Sequence, residues 1–348
     1  MLWFMKSACL AFRRSALLVL AILCAILAVP AQSRATPFDA IYVLGDSLSD
    51  QGNLAIATSL VPGLTVIPDP LHYFNGRFSN GPVYTDLLAQ RLGVPLTPSL
   101  LGGTNFAFGG ARTTYNAAES FLPVGLFPWS LNAQTAEFAK LGINDPNGLY
   151  IVFSGANDIR DIVAQNLNAA VVYANLLNGI QMAIDAFKAA GAQTILVPNV
   201  PDLGLTPDAI GSGTSAALTA LSGQYNALLD AQLAAVVGVN IVEFDTFEWL
   251  TQVVTDPAPF GLTNVNSPCY TGFIFPNPFA TECSDPSTFL FWDIEHPSAT
   301  GQALFADKLF DALPVEAQPV PEPSPISVVL AGLFVVFAAR RTGRDRQR

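Results

Sequence analysis

Short uninterrupted apolar runs alternate along this chain with segments whose apolar residues recur every three or four positions. Ile41 to Leu44, Leu149 to Phe153, Thr194 to Val197 and Asn240 to Phe244 are rich in branched and aromatic residues, the pattern of parallel strands covered on both faces. Before the third run, Leu176, Ile180, Ile184 and Phe187 recur at spacings of 4, 4 and 3, and Gly191 ends the segment. Before the fourth, Leu218, Leu221, Tyr225 and Leu228 recur at 3, 4 and 3. Both spacings predict helices with one apolar face. A weaker strand is expected around Thr104 to Phe108. Strand and helix in alternation predict an α/β fold, a three-layer α/β/α sandwich with a mostly parallel sheet. In such sheets chemistry sits at the carboxyl ends of the strands. That rule sets Ser47, Gly109-Gly110 and Gly155-Ala156-Asn157-Asp158 along one rim. Residues 256–288, rich in Pro, Asn and Phe, read as an irregular insertion near it.

Both ends of the 348-residue chain break this rhythm. Lys6, Arg13 and Arg14 precede an apolar run from Ser15 to Val29, with small residues at Ala31 and Ala35. Residues 1–35 are therefore expected to be a secretory signal peptide; a retained anchor is disfavoured because the run is short for a span. Residues 36–313 form the expected body, one large domain. Residues 314–325 are a Pro-rich linker containing Val320-Pro321-Glu322-Pro323-Ser324. In residues 326–348 an apolar run, Ile326 to Ala339, leads into Arg340, Arg341, Arg344, Arg346 and Arg348. The arrangement resembles the PEP-CTERM sorting signal of Gram-negative bacteria. That resemblance implies recognition near Pro321-Glu322-Pro323 by an exosortase-type enzyme, with release or attachment at the cell surface. A plain C-terminal membrane tail is the simpler alternative, and in either case the body faces outward.

Charge and cysteine usage narrow the partners. Residues 36–313 hold 7 Lys and Arg against 24 Asp and Glu, a balance of −17. So acidic a body repels nucleic acid and anionic membrane surfaces and favours neutral, small or zwitterionic substrates. Cys9 and Cys24 lie in the leader, leaving Cys269 and Cys283. In an exported protein these two are expected to form a disulfide. With two histidines in the chain and no second cysteine pair, a metal site is a poor rival.

The first strand ends in Gly45-Asp46-Ser47-Leu48-Ser49-Asp50-Gln51-Gly52-Asn53. Asp, Ser, Gly and Asn are turn and cap residues, so Ser47 alone reads as a cap on the next helix. His296 lies in Asp293-Ile294-Glu295-His296-Pro297-Ser298, ahead of a helix expected to carry Phe305, Leu309 and Ala312 on one face. A histidine base needs a carboxylate on its second ring nitrogen, and Asp293, three residues upstream on a turn, can curl back to supply it. GDSLSDQGN at 45–53, NFAFGGA at 105–111, GAND at 155–158 and DIEHPS at 293–298 occur in order at strand ends. Together they resemble the blocks of the GDSL, or SGNH, family of esterases and lipases, over about residues 38 to 313. GRFSNGPVYTDLLA at 76–89 and NVPDLGLTP at 199–207 resemble a branch with lecithinase-like phospholipases and autotransporter esterases.

The resemblance implies the flavodoxin-like SGNH-hydrolase sandwich and a serine ester hydrolase that works through an acyl-enzyme. It makes Ser47 the nucleophile, His296 its base and Asp293 the orienter of His296. It makes Ser47 N–H, Gly110 N–H and the Asn157 amide the oxyanion hole, with Gly109 as the alternative to Gly110. Asp158 is then a structural partner of the rim, and Glu295, adjacent to His296, is expected to point away. The implied chemistry needs no metal or organic cofactor. The implied substrate is a small ester, a lipid or an acylated glycan. A carbohydrate O-acetylesterase acting on exopolysaccharide is the enzymatic rival, and a catalytically idle surface-binding protein the rival from another class.

The remaining motifs carry less. G-x-S-x-G, the nucleophile elbow of α/β-hydrolases, is absent. Gly211 to Ala216 matches a G-x-G-x-x-A dinucleotide fingerprint but follows a polar loop in place of a strand, so it reads as a helix entry. Phe106, Phe108 and the phenylalanines at 273–279 are expected in the core, with an acyl pocket as the sharper alternative. His72 is expected in a loop.

Overall fold

The computed structural model describes residues 38–115, 127 and 129–314; the leader, the PEP segment and the basic tail lie outside the described residues. Four strands pair in parallel in chain order: β1 (Ala40–Gly45), β2 (Gly148–Phe153), β3 (Thr194–Pro198) and β4 (Asn240–Phe244). Ile41 stands opposite Leu149, Leu149 opposite Thr194, and Thr194 opposite Asn240.

The segment 104–108 runs along the free side of β1. Val43 N donates to Thr104 O at 3.0 Å, Phe106 N to Val43 O at 2.8 Å and Phe108 N to Gly45 O at 3.2 Å. The other side of the segment is taken up by the 97–99 backbone, through Asn105 N to Thr97 O and Ser99 N to Asn105 O, and by Asn53 Nδ2, which donates to Asn105 O and Ala107 O. Counted second in chain order, it gives the strand order 2-1-3-4-5, whose winding reverses between β1 and β2. Crevices at such a reversal, beyond the carboxyl ends of the strands, are where doubly wound sheets bind ligands.

The period-two alternation of the strands divides the core in two. Tyr42, Leu44, Tyr150, Val152, Ile195 and Val197 face α3 (Leu131–Lys140), α5 (Ala169–Ala189) and α7 (Ser215–Leu233). Ile41, Val43, Leu149, Ile151, Phe153 and Leu196 face α2 (Tyr84–Leu92), α8 (Thr246–Thr255) and α9 (Ala299–Ala312). The sandwich expected from the sequence is therefore present, and Thr36–Val315 form one compact unit. Three further helices, α1 (Asn53–Ser59), α4 (Ala156–Ala164) and α6 (Pro207–Ser212), surround the strand ends.

Details of the helix faces differ from expectation. On α7 the buried stripe passes through Leu218, Tyr225 and Leu229, while Leu228 is exposed. The 3-4-3 spacing drifts off the core face by one residue at its end because 3.6 residues make a turn. On α9 Phe305 and Leu309 are buried but Ala312 is exposed.

The insertion at 256–288 contains β5 (Asn264–Pro268), which pairs in parallel with β6 (Phe289–Phe291) beside the loop of His296. Cys269 and Cys283 are joined with their Cα atoms 4.8 Å apart. His72 stacks on Tyr270 at 4.4 Å, and its Nδ1 lies 2.7 Å from Glu282 Oε1. These contacts tie the 60–75 loop to the disulfide loop. Phe106 and Phe108 are in the core, but the phenylalanines at 273–279 are not: Phe273 and Phe275 line a cavity and Phe279 is 90 % exposed. Apolar residues on a loop without periodicity have no core face to be drawn to.

Candidate active site

The turn after β1 presents Ser47. Gly45 approaches β2 so closely that an added Cβ would lie 2.5 Å from Phe153 O, so only glycine fits there. Both peptide groups of Gly45 are held by the Gln134 amide, at 2.9 and 2.8 Å. Asp46 Oδ1 accepts the Leu48 N–H and Asp46 O the Ser49 N–H, each at 3.0 Å, which closes a tight turn around Ser47. Ser47 is not a helix cap, contrary to the reading of the turn alone, because α1 begins only at Asn53, six residues later. Asp50 takes the orphan N–H groups of Gly52, Asn53 and Leu54 in its place. Ser47 is thereby released from capping.

Asp293, His296 and Ser47 form a continuous line of hydrogen bonds. His296 Nε2 lies 2.9 Å from Ser47 Oγ, and His296 Nδ1 lies 2.8 Å from Asp293 Oδ2. Asp293 Oδ1 accepts the backbone N–H groups of Glu295 and His296 at 2.8 and 2.7 Å, so the carboxylate is fixed by its own turn. Tyr73 Oη donates to Asp293 Oδ2 at 2.6 Å. Burial pushes the Asp293 carboxyl up, but His296, Tyr73 and the Glu295 N–H outweigh it and hold the group below its ordinary value. Burial pulls His296 down, and the neighbouring Asp293 outweighs it, so the imidazole titrates above its ordinary 6.5. A base poised this way is well stabilised once it gains a proton.

The opposite wall supplies donors. Gly109 N–H is taken by Asp50 Oδ2 at 2.7 Å. Gly110, at φ +76°, has no acceptor for its N–H among the described residues, which separates the two glycines that sequence left as alternatives. A positive φ is the conformation that glycine tolerates and a side chain resists. Arg112 holds this turn by donating to Gly110 O at 2.8 Å while its Nε and Nη2 pair with Asp161 at 2.9 and 3.0 Å. Asn157, in the first turn of α4, donates one amide hydrogen to Ala111 O at 3.0 Å, leaving the second for a ligand. Asp158 accepts the Thr113 N–H through both oxygens, at 3.0 and 3.1 Å, and so braces the rim. Burial pushes Asp158 up to about 6 and Asp46 up to about 7.

Glu295 does point away from His296: it pairs with Arg160, whose Nη2 also reaches Asp208 Oδ2 at 2.8 Å. The body has only seven cations, and two of them, Arg112 and Arg160, brace this rim. Their scarcity is a signal that sequence reading could have used. Tyr73 offers no such signal, because it lies in a loop without periodicity.

Two cavities meet at Ser47, Asn157 and His296. One is narrow, about 70 Å³, and runs between Phe153, Leu203, Trp249, Leu290 and Phe305. The other is broad, about 610 Å³, and passes Phe78, Gly110, Arg112, Phe273 and Phe275. A buried serine hydroxyl on an imidazole–carboxylate pair, facing a pocket with free N–H donors, defines a serine acyl-transfer site.

The comparisons with known proteins agree with that class. The family model described as GDSL-like Lipase/Acylhydrolase matches residues 41–309. Esterase EstA of Pseudomonas aeruginosa is 31 % identical over 88 % of this chain and 52 % of its own length. Phosphatidylcholine-sterol acyltransferase of Aeromonas hydrophila is 30 % identical over 76 % of this chain and 75 % of its own. The chain spans about half the length of the esterases that it matches. It belongs to the GDSL-like lipase/acylhydrolase family.

Proposed function

We propose that this protein is an exported serine ester hydrolase acting on carboxylic esters. The observation that carries the reading is the 2.9 Å and 2.8 Å pair of contacts through His296, from Ser47 Oγ to Asp293. Ser47 Oγ attacks the ester carbonyl as His296 Nε2 takes its proton. The oxyanion accepts from Gly110 N–H, Ser47 N–H and the second Asn157 amide hydrogen. Collapse expels the alcohol, which takes the proton from His296, and leaves the acyl group on Ser47. Water then attacks the acyl carbonyl, giving its proton to His296, and the carboxylic acid leaves as Ser47 regains a proton. Asp293 holds the imidazole in the tautomer that accepts from Ser47 and stabilises the imidazolium.

Export is supported by the leader pattern and by the disulfide between Cys269 and Cys283, which persists in oxidising surroundings. The tail that resembles a sorting signal supports a surface location reached through an exosortase-type enzyme. The 610 Å³ cavity supports a bulky alcohol half, so an O-acylated glycan of the surface matrix stands beside lipid esters as a substrate. The test is hydrolysis of short-chain aryl esters and labelling by a fluorophosphonate, each compared in wild type and Ser47→Ala. Loss of both in the variant is expected; retained hydrolysis in the variant would sink the mechanism. A panel of acetylated glycan against longer acyl esters separates the substrate classes.

A further inference from the structure

The narrow cavity beside Ser47 is not simply apolar. Three buried polar atoms on its lining residues have no hydrogen-bond partner among the described residues: Thr246 Oγ1, Trp249 Nε1 and Gln302 Nε2. Their residues are 3 %, 9 % and 1 % exposed, so bulk water does not reach them freely. Thr246 and Trp249 are three apart on α8 and so share one face. Gln302 comes from α9, which packs against α8 through Trp249 and Phe305, their rings 5.0 Å apart. The orientation of Gln302 is fixed chemically: its Oε1 accepts the Tyr84 N–H at 2.9 Å, so its NH₂ is the unpaired end. Asp46 lines the same cavity, and among the described residues only its Oδ1 is occupied, by the Leu48 N–H.

This set of groups selects its occupant. An unsubstituted alkyl chain would leave three buried donors unpaired, which is costly. Arg160 on the same lining is already paired with Glu295 and Asp208, so it offers a carboxylate no unpaired charge, and Asp46 stands opposite. A neutral hydroxyl suits it, accepting from the indole and amide N–H groups and donating to Thr246 or Asp46. The size, about 70 Å³, holds a chain of a few carbons. The 610 Å³ cavity on the other side of Ser47 is left for the larger, alcohol half. We propose that the cavity between α8 and α9 is an acyl subsite for short hydroxyacyl chains, read by Thr246, Trp249 and Gln302. The proposal rests on the ester-hydrolase reading and names its acyl specificity.

The test measures kcat/KM of the full chain, by titration of released acid, for ethyl butanoate and for each enantiomer of ethyl 3-hydroxybutanoate. One enantiomer is expected to exceed butanoate by about tenfold or more, since a site built to bond a hydroxyl discriminates against the analogue lacking it. In Trp249→Phe and Thr246→Val the ratio of hydroxylated to plain ester is expected to fall to within about threefold of one. Both hydroxylated esters turning over no faster than butanoate in wild type would overturn the proposal, and so would a ratio unchanged in both variants. The wild-type comparison decides even if the variants fold poorly. Cleavage of none of the three esters would overturn the hydrolase reading itself, an outcome distinct from cleavage without preference.

Discussion

The two halves of the site are built differently. Ser47, Gly110 and Asn157 stand at the ends of β1, the 104–108 segment and β2, and β1 and β2 are buried on both faces. Asp293, His296 and Tyr73 stand on loops. Those loops are held by polar bonds, an ion pair from Arg160 to Glu295, aromatic stacking and the Cys269–Cys283 bridge. The donor half rises directly from the packed strands, with the Arg112–Asp161 pair and the Asp46 and Asp158 carboxylates bracing its turns. The relay half stands on loops that hydrogen bonds, the Arg160–Glu295 pair and the bridge hold away from the sheet. Each half can therefore be attacked separately.

The largest effect is expected where the halves meet. Ser47→Ala removes the atom that joins them and should lower kcat by about 10⁴-fold or more, measured on a short-chain aryl ester with folding checked by circular dichroism. Next comes the donor half. Asn157→Ala should lower kcat by about 10²–10³-fold, because the oxyanion loses a donor, with a small fall in the thermal midpoint, because Ala111 O loses one as well. A large rise in KM with kcat retained would place Asn157 in ground-state binding.

Tyr73→Phe probes the relay half. The hydroxyl shares the charge on Asp293 Oδ2, so its loss leaves more of that charge for His296 and raises the imidazole pKa further. The acid limb of activity should move to higher pH by about half a unit, with about a tenfold loss of kcat. A limb that stays in place would mean that Tyr73 only packs the loop. In the wild type the same limb should lie above pH 6.5, since a raised imidazole pKa keeps His296 protonated to higher pH and the protonated base cannot accept from Ser47. A midpoint below 6.5 would separate His296 from Asp293 in solution.

The smallest effect on chemistry, though not on durability, should come from the bridge. Cys269→Ser with Cys283→Ser opens a loop of sequence separation 14, worth about 3 kcal/mol in the chain-entropy model. The thermal midpoint should fall, while Tyr73 and Tyr270 keep the loops together at room temperature. Loss of all activity at room temperature would show that the relay depends on the bridge itself.

Strands β1 and β2 were legible because residues buried on both faces must be apolar without interruption, and Ile41 to Leu44 and Leu149 to Phe153 are, whereas β4 is only half-buried, with Asn240 and Glu243 exposed. Asp293 and His296 were legible because a turn of three residues brings them together locally. Leu228 misled because its spacing matched a helix while the helix had already rotated Leu229 onto the core. Phe273 and Phe275 misled because hydrophobicity alone does not distinguish a core residue from one lining a cavity.

Sequence by itself determined the layers, the strand ends and the residue types gathered there, since periodicity and turn chemistry act over a few neighbours. Tertiary structure decided the rest: that Asp50 takes the Gly109 N–H and not that of Gly110, that Tyr73 reaches Asp293 across 220 positions, and that Gln302 gives its Oε1 to the Tyr84 N–H. These depend on which of several polar partners is nearest after the core has packed, and no local pattern carries that information.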